Sequence, residues 1–212
     1  MKDAHIARFL TASVALILIA GCGKSWKQFA YEGMDRDGWQ HPERVMEVLE
    51  IQPGDQVADL GAGSGYFTFD LAKAAGPDGV VYAVDIDPEM IALIDELATE
   101  KSVSNVKTIL AKPDDPGLPD GAIDLVFTSN TYHHIADPTA YFAKLKTDLA
   151  PNGRVAILDL RPDSGWFQRW FGHASEAQKI RDEMKAAGYQ LQGEQDFVEK
   201  QSFLVFAPTP TS

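Results

Sequence analysis

The sequence predicts an α/β fold in which helices cover both faces of a doubly wound, seven-stranded sheet that is mostly parallel and ends in an antiparallel strand. Short apolar runs alternate with helical segments from residue 42 onward, which is the first sign of this fold. The second is a glycine-rich turn between the first apolar run and a helix, and the third is a pair of extended segments near the end of the chain.

Five apolar runs rich in branched residues are predicted to be buried parallel strands, because a strand covered on both faces needs apolar side chains throughout. These runs are Gln56–Leu60, Val80–Val84, Val106–Leu110, Ile123–Thr128 and Val155–Leu158.

Helical patterns separate these runs. A short helix begins at Pro42, whose ring suits a first turn, and ends before the turn at Pro53. The pattern is clearest over Pro88–Glu100, which carries one apolar stripe and follows a capping residue, Asp87. The alternation indicates repeated βαβ units.

The last third of the domain completes the sheet. Ser175–Ala187 is predicted to be a helix closed by Gly188. Leu191–Phe197 and Ser202–Phe206 follow, close enough together to pair antiparallel, which brings the strands to seven.

Length and charge limit the classes of function. The 212 residues, 45% of them hydrophobic, suit one domain, predicted over residues 42–207 with a short tail at 208–212. A net charge of -12 disfavours nucleic acid, whose binding needs clustered Lys and Arg. A small-molecule substrate fits better.

The amino terminus has the pattern of an export signal. Lys2 and Arg8 precede the apolar run Phe9–Ala20, which is too short to span a bilayer as an ordinary helix. The run ends Ile19-Ala20-Gly21-Cys22, which resembles the bacterial lipobox, where cleavage leaves the cysteine carrying lipid.

Residues 1–21 are therefore predicted to be a lipoprotein signal peptide, and residues 22–41 a tether that precedes the domain. We expect attachment to the membrane through lipid on Cys22, on the periplasmic side of the bacterial cell envelope. The alternative is a buried amino-terminal helix with an incidental cysteine, in a cytoplasmic protein. Cys22 is the one cysteine of the chain, which excludes an intrachain disulfide and thiol zinc clusters.

The segment Val57–Phe67 carries the strongest functional signal. It runs from a strand through Gly61, Gly63 and Gly65 into a helix, and glycines there let the backbone approach a ligand. Asp85 ends the next strand, where a carboxylate can accept two hydrogen bonds from a ribose diol. The bland alternative is that these glycines serve only a tight turn.

A dinucleotide dehydrogenase is disfavoured by the spacing of this turn. The dinucleotide fingerprint requires a glycine at the sixth place, counted from Gly61, and Tyr66 stands there. Residues 42–160 instead resemble class I S-adenosylmethionine-dependent methyltransferases of the small-molecule, ubiquinone/menaquinone-biosynthesis-like group. That resemblance implies a Rossmann-like fold and S-adenosylmethionine as cofactor.

The resemblance also implies roles for single residues. Asp59, Gly61, Gly63 and Gly65 would surround the methionine moiety, Asp85 would hold the ribose, and Ile86 would lie against adenine. In the segment Lys112–Pro119, Asp114 or Asp115 would meet the adenine amino group, in a match that can shift by one position. Asn130, after the fourth strand, is implied to contact the cofactor.

The loop Thr128–His134 follows the fourth strand and is predicted to face the substrate. His133 or His134 would serve as base for a protic acceptor, since methyl transfer itself needs mainly positioning. Similar methyltransferases carry such a pair, and its second member often packs structurally. Adjacent histidines diverge and no spaced carboxylate accompanies them, so we expect no metal site.

Two further segments have open interpretations. The aromatic cluster Trp166, Phe167, Trp170 and Phe171 would line a pocket, touch a membrane or simply cover the sheet. Arg161 and Arg169 lie near it and would suit an acidic substrate. The polar stretch Tyr31–Gln40 would be a tether or fold over the cofactor.

The leading hypothesis is methyl transfer from S-adenosylmethionine to an unidentified small acceptor. The donor is a cytoplasmic metabolite, however, and the lipobox predicts export. The alternative is therefore an exported lipoprotein with a methyltransferase-like fold that binds a nucleoside-type ligand without turnover.

Overall fold

The computed structural model describes residues 36–162 and 174–210, and these form one sheet covered by helices. The helices are α1 (Arg36–Gln40), α2 (Pro42–Leu49), α3 (Thr68–Ala75), α4 (Pro88–Glu100), α5 (Pro138–Leu145) and α6 (Ala177–Ala186), with a 3-10 turn at Tyr132–His134. The strands are β1 (Gln56–Leu60), β2 (Val80–Asp85), β3 (Val106–Leu110), β4 (Ile123–Ser129), β5 (Leu149–Leu160), β6 (Tyr189–Gln195) and β7 (Gln201–Pro208).

The strand order is β3-β2-β1-β4-β5-β7-β6, which confirms the predicted fold class. The first five strands in that order pair in parallel, and β7 runs antiparallel between β5 and β6. The chain winds outward from β1 to β3 and then returns to β4 on the other side. The gap beyond the ends of β1 and β4 is therefore the switch point where open α/β sheets bind ligands.

Alternating side chains of the parallel strands pack on opposite faces of the sheet. Ala58 and Leu60 belong to the core that Phe142 of α5 and Ile180 of α6 cover. Val57 points to the other face, into the core formed with α2 and α3. Strands buried on both faces need this apolar content, and each buried aliphatic or aromatic side chain stabilises the fold by about 1.5–3 kcal/mol.

Local sequence explains where the helices begin. Asp87 accepts a hydrogen bond from the backbone N–H of Glu89 and so caps α4, as its sequence predicts. Asp137 caps α5 in the same way, with Pro138 in the first turn of the helix. The sequence analysis did not identify α5.

Of the amino-terminal segments predicted from the sequence, the structure describes only the end of the tether, from residue 36. Helix α1 lies inside the segment interpreted as a tether, and Gln40 at its end is fully buried. The predicted signal peptide and Cys22 lie outside the described residues. Within residues 36–162 and 174–210, no helix is both long and apolar enough to cross a membrane.

Candidate active site

A cavity of about 560 Å³ opens at the carboxyl edge of the sheet, above the ends of β1, β2 and β4. Its volume falls in the usual range of small-molecule sites, about 300–1,000 Å³. Its wall includes the charged or hydrogen-bonding side chains of Arg36, Asp59, Asp85, Asn130 and His134. The cavity lies at the switch point of the sheet, where the topology places a ligand.

The turn between β1 and α3 presents backbone to this cavity. Gly61 and Gly63 line it with positive φ angles of 75° and 54°. The Gly61 N–H donates to the Val84 carbonyl (2.8 Å), which ties the turn to the end of β2. A Cβ on Gly61 would lie 2.1 Å from Thr131 Oγ1, so a larger residue needs the loop after β4 to move.

Asp85 is held by the backbone on both of its oxygens. Oδ2 accepts from the Gly63 N–H (2.8 Å) and Oδ1 accepts from the Asp87 N–H (2.9 Å). The residue is 9% exposed and lines the cavity. A carboxylate oxygen has two lone pairs, so each oxygen keeps one acceptor site for a ligand hydroxyl.

Asp59 is a buried carboxylate at the end of β1. It is 3% exposed, and the Thr68 hydroxyl donates to its Oδ2 (2.6 Å). Burial raises the pKa of Asp59 from 3.8 to about 6, against the lowering effects of the Thr68 hydrogen bond and the Arg36 charge. A cationic group of a ligand would favour the charged form.

Arg36 of α1 is a wall residue that the sequence analysis did not single out. Its guanidinium carbon lies 3.8 Å from the centre of the Tyr66 ring, and Nη2 donates to Ser129 Oγ (3.4 Å). The Tyr66 hydroxyl in turn donates to Asp37. Thus α1 folds over the cavity, one of the two expectations for this segment. The contact with Ser129 joins residues 93 positions apart, which no local pattern reveals.

Ile86 and Gly65 have different surroundings, although both are predicted to contact the cofactor. Ile86 lines the cavity and is 62% exposed, so it offers an apolar surface to a flat ring. A Cβ on Gly65 would instead lie 3.2 Å from Phe69 and 3.3 Å from Ile94. The structure therefore assigns Gly65 to close helix packing and places it outside the cavity wall.

The structure does not bring Asp114 or Asp115 into the cavity wall. A turn closed by reciprocal backbone hydrogen bonds between Lys112 and Asp115 carries both carboxylates away from it. Asp115 also accepts from the Gly117 N–H and pairs with Lys144 (3.2 Å), and together these lower the pKa of Asp115. Lys112 and its neighbours line the cavity instead, a few positions earlier in the segment.

The two histidines have different environments, in the reverse order to the one expected. His133 is the buried member: its side chain is 5% exposed and Nδ1 lies 2.9 Å from Oδ1 of the fully buried Asp159. His134 is exposed and lines the cavity. Their ring centres are 4.1 Å apart. The Tyr132–His134 turn thus buries the His133 ring against β5 and leaves the His134 ring at the cavity.

Asn130 follows β4 with a positive φ of 57° and lines the cavity. Its Oδ1 accepts a hydrogen bond from Gln201 Nε2 (2.7 Å) at the start of β7. Gln201 Oε1 accepts from Gln40 Nε2 (3.0 Å), and both glutamines are almost completely buried. The sequence analysis identified neither glutamine, because the bond between them joins residues 161 positions apart.

Several expected features fall outside the described residues, namely Trp166, Phe167, Trp170, Phe171 and Arg169. Arg161 is described and donates to the backbone carbonyl of Glu199. Within the described ranges no group of three metal-ligating side chains comes together. The expectation of no metal stays a prediction.

Comparison with known proteins places the chain among methyltransferases. Residues 51–203 match the model of a family described as a methyltransferase domain. The chain is similar to the aklanonic acid methyltransferase DauC of Streptomyces sp. (strain C5), with 31% identity over 54% of this chain and 52% of that protein. It is also similar to the ubiquinone/menaquinone biosynthesis C-methyltransferase UbiE of Burkholderia orbicola (strain MC0-3), with 27% identity over 68% of this chain and 52% of that protein.

The chain thus spans about half the length of these curated relatives. Among solved structures, a SAM-dependent methyltransferase from Aquifex aeolicus aligns with a TM-score of 0.77 at 23% identity. The alignment covers 84% of this chain and 94% of that one, and it shows a shared fold.

Proposed function

This chain belongs to the methyltransferase domain family, and from that premise we propose that it transfers a methyl group from S-adenosylmethionine to a small-molecule acceptor. One observation carries the proposal. The carboxylates of Asp59 and Asp85 and the open backbone of the Gly61–Gly63 turn face a single cavity. These are the groups that a ligand with an ammonium, a ribose and a flat base requires.

We propose one orientation of the donor against this wall. Asp85 would accept from the two ribose hydroxyls, through the lone pairs that its backbone partners leave available. Ile86 would contact adenine, and Asp59 would pair with the ammonium of the methionine moiety. Arg36, at the same cavity, would pair with the methionine carboxylate. Asp114 and Asp115 have no part in this placement.

Methyl transfer requires the protein mainly to hold the donor and the acceptor in the right positions. A methyl group on a sulfonium is transferred by in-line displacement, and the thioether leaves without charge, so the chain's residues mainly bind and orient. A protic acceptor must also lose a proton. His134 is the imidazole in the cavity wall, and we assign it that role, with His133 and Asp159 fixing the turn beneath it.

Calorimetric titration of the full-length protein with S-adenosylmethionine tests donor binding. We expect micromolar affinity, roughly -8 kcal/mol, and no comparable binding of a nicotinamide dinucleotide. Equal binding of both ligands, or binding of neither by a folded sample, would contradict the proposal. Once an acceptor is found, His134→Gln should slow transfer to a hydroxyl while leaving donor affinity unchanged.

The second candidate is an exported lipoprotein that binds a nucleoside-type ligand without turnover. The observation that favours it is the apolar run Phe9–Ala20 followed by Cys22, together with the cytoplasmic origin of the donor. Adenosine distinguishes the two candidates. A methyl-donor site needs the methionine moiety, so adenosine should bind it far more weakly, whereas a nucleoside site would bind both ligands alike.

A further inference from the structure

A chain of hydrogen bonds, buried at its centre and part-buried at both ends, fixes which way the side-chain amide of Asn130 faces. Arginine only donates, so the bond from Arg36 Nε must end on Gln40 Oε1. Gln40 therefore turns Nε2 toward Gln201, which accepts on Oε1 (3.0 Å). Gln201 in turn presents Nε2, which donates to Asn130 Oδ1 (2.7 Å). Every bond of this relay points from the arginine toward Asn130.

The polarity of the relay places Nδ2 of Asn130 on the side of the amide away from Gln201. One lone pair of Oδ1 accepts from Gln201, whereas both hydrogens of Nδ2 remain for a ligand. No described residue accepts a hydrogen bond from Nδ2, and Asn130 lies in the cavity wall. Reversing the amide would bring Nδ2 against Gln201 Nε2, two donors facing each other in a buried place, which is costly.

The position of Asn130 along the sheet indicates which ligand it meets. The donor-binding carboxylates and glycines come from β1 and β2, whereas Asn130 follows β4 and its partner Gln201 begins β7. The order of strands therefore puts Asn130 on the side of the cavity away from the ribose and adenine. The methyl acceptor must approach the sulfonium from the space that the donor does not fill. The side of the cavity that carries Asn130 faces that space.

We propose that Asn130 is a specificity-determining residue that donates a hydrogen bond to a carbonyl or anionic oxygen on the methyl acceptor. This inference rests on the proposed function. It restricts the acceptor to compounds with such an oxygen near the atom that receives the methyl group, such as carboxylates, phenolates or ketones. Gln40 and Gln201 are positioning residues, since they act through Asn130.

Nuclear magnetic resonance of the ¹⁵N-labelled full-length protein tests the proposal, with the Asn130 amide signals identified by their loss in Asn130→Asp. S-adenosylhomocysteine is added first, and benzoate or benzylamine is then titrated as a matched oxygen-acceptor and nitrogen-donor probe. We expect benzoate to shift the Asn130 signals and to bind more tightly than benzylamine, by about tenfold or more.

Gln201→Glu should reverse the orientation of the Asn130 side-chain amide. A carboxylate at this position accepts from both Gln40 and Asn130, so Asn130 turns its oxygen toward the cavity. The preference for benzoate over benzylamine should then fall by about tenfold or reverse. Gln190→Glu, at an exposed position of β6, makes the same change in charge and should leave the preference intact. If Gln201→Glu does not fold, Gln201→Met releases the amide without charge and should reduce the preference.

Three outcomes would overturn the assignment: no preference in the natural protein, a preference that Gln201 variants leave unchanged, or a shift caused by the donor itself. In the last case S-adenosylhomocysteine alone would move the Asn130 signals and methylthioadenosine, which lacks the amino acid, would not. The oxygen recognised would then be the donor's own carboxylate. Failure of S-adenosylhomocysteine to bind at all would contradict the proposed function instead.

Discussion

Asp85 is oriented before any ligand arrives, because the backbone N–H groups of Gly63 and Asp87 hold its two oxygens. A carboxylate fixed in this way loses little conformational freedom when a ribose binds. The same bonds connect ligand binding to the shape of the glycine turn. Removal of Asp85 should therefore affect both binding and stability, although the strand-end position alone suggests a purely ligand-binding role.

Asp85→Ala should weaken binding of S-adenosylmethionine by at least about tenfold, because hydrogen bonds to a charged group contribute about 1.5–3 kcal/mol. It should also lower the free energy of unfolding by about 1–3 kcal/mol, since the Gly63 N–H loses its acceptor. Calorimetry and urea unfolding measure the two effects. Asp87→Ala removes the cap of α4, which should cost about 1 kcal/mol of stability, and because Asp87 is not in the cavity wall we expect donor affinity to stay unchanged. Equal donor affinity in folded Asp85→Ala would contradict the assignment.

Asp59 makes the stability of the protein depend on pH. Its pKa in the folded state is about 6, above the ordinary 3.8, so the folded protein keeps this proton in a range where the unfolded chain has lost it. The contribution is therefore most favourable below about pH 4 and is lost as pH rises through about 6, a change of about 3 kcal/mol. Asp59→Asn should remove this dependence and be the more stable protein at neutral pH.

Urea unfolding of the natural protein and of Asp59→Asn at several pH values checks this pH dependence. The difference between their free energies of unfolding isolates the contribution of Asp59. Donor binding should follow the opposite trend, because the ammonium pairs with the ionised carboxylate. Affinity for S-adenosylmethionine in the natural protein should rise with pH up to about 6 and be level above it. A difference in unfolding free energy that is constant with pH would argue against the burial of Asp59.

The residues that sequence reasoning located at the site share one property, namely a local pattern. Asp59, Gly61, Gly63 and Asp85 each lie at or directly after the end of a strand, and a strand end can be predicted from the residues around it. Arg36 reaches the same cavity, and Gln201 reaches the cavity residue Asn130, through tertiary packing alone. Asp115 illustrates the opposite failure, because its segment matches a motif while Lys144 and the Gly117 N–H hold its carboxylate elsewhere.

At the scale of elements, the turn after β1 and the loop after β4 fit against each other. Gly61 faces Thr131 so closely that a Cβ would overlap the threonine side chain, with 2.1 Å to Oγ1 and 2.7 Å to Cβ. The two segments each supply a wall of the cavity. The distance between the turn after β1 and the loop after β4 therefore depends on Gly61 having no side chain.

Gly61→Ala should displace one of these walls and abolish measurable donor binding. The alanine must also adopt a φ of 75°, which costs about 1–2 kcal/mol in addition to the overlap. Gly54→Ala is the matched control, since its φ is 98° and nothing lies within 4 Å of an added Cβ. Calorimetry should show normal donor affinity in that control. Normal affinity in Gly61→Ala would contradict the close approach of the two segments.

The strands could be predicted where composition alone decides them. β1 and β3 have the predicted bounds, and each begins directly after a polar residue, Asp55 or Asn105. β5 begins at Leu149, six residues before the predicted Val155, because Leu149 pairs with Ile123 and the register then shifts across a Pro-Asn-Gly stretch before Arg154 pairs with Leu125. That stretch indicates a turn by its own sequence. The irregularity therefore lies where the sequence indicates a turn, and only the pairing of Leu149 ahead of it depends on tertiary contacts.

At the scale of the whole molecule, the net charge of -12 and the amino-terminal segment concern where the domain works. A surface so acidic is repelled by anionic lipid headgroups, so attachment to a membrane needs a covalent anchor. Lipid on Cys22 would provide one, and it would separate the domain from the cytoplasmic pool of donor. Location thus decides between the two candidate functions.

Cys22→Ser should move the protein from the membrane fraction to the soluble fraction and prevent incorporation of labelled palmitate, because a hydroxyl cannot replace the thiol in thioether formation. Gly23→Ser introduces the same residue one position later, keeps the thiol and should remain membrane-bound. Since a lipidated cysteine is formed on the exported side, labelling of Cys22 would favour the nucleoside-binding lipoprotein over the cytoplasmic enzyme. Membrane attachment that survives Cys22→Ser would contradict the lipid anchor, and so would a natural protein that stays soluble and unlabelled.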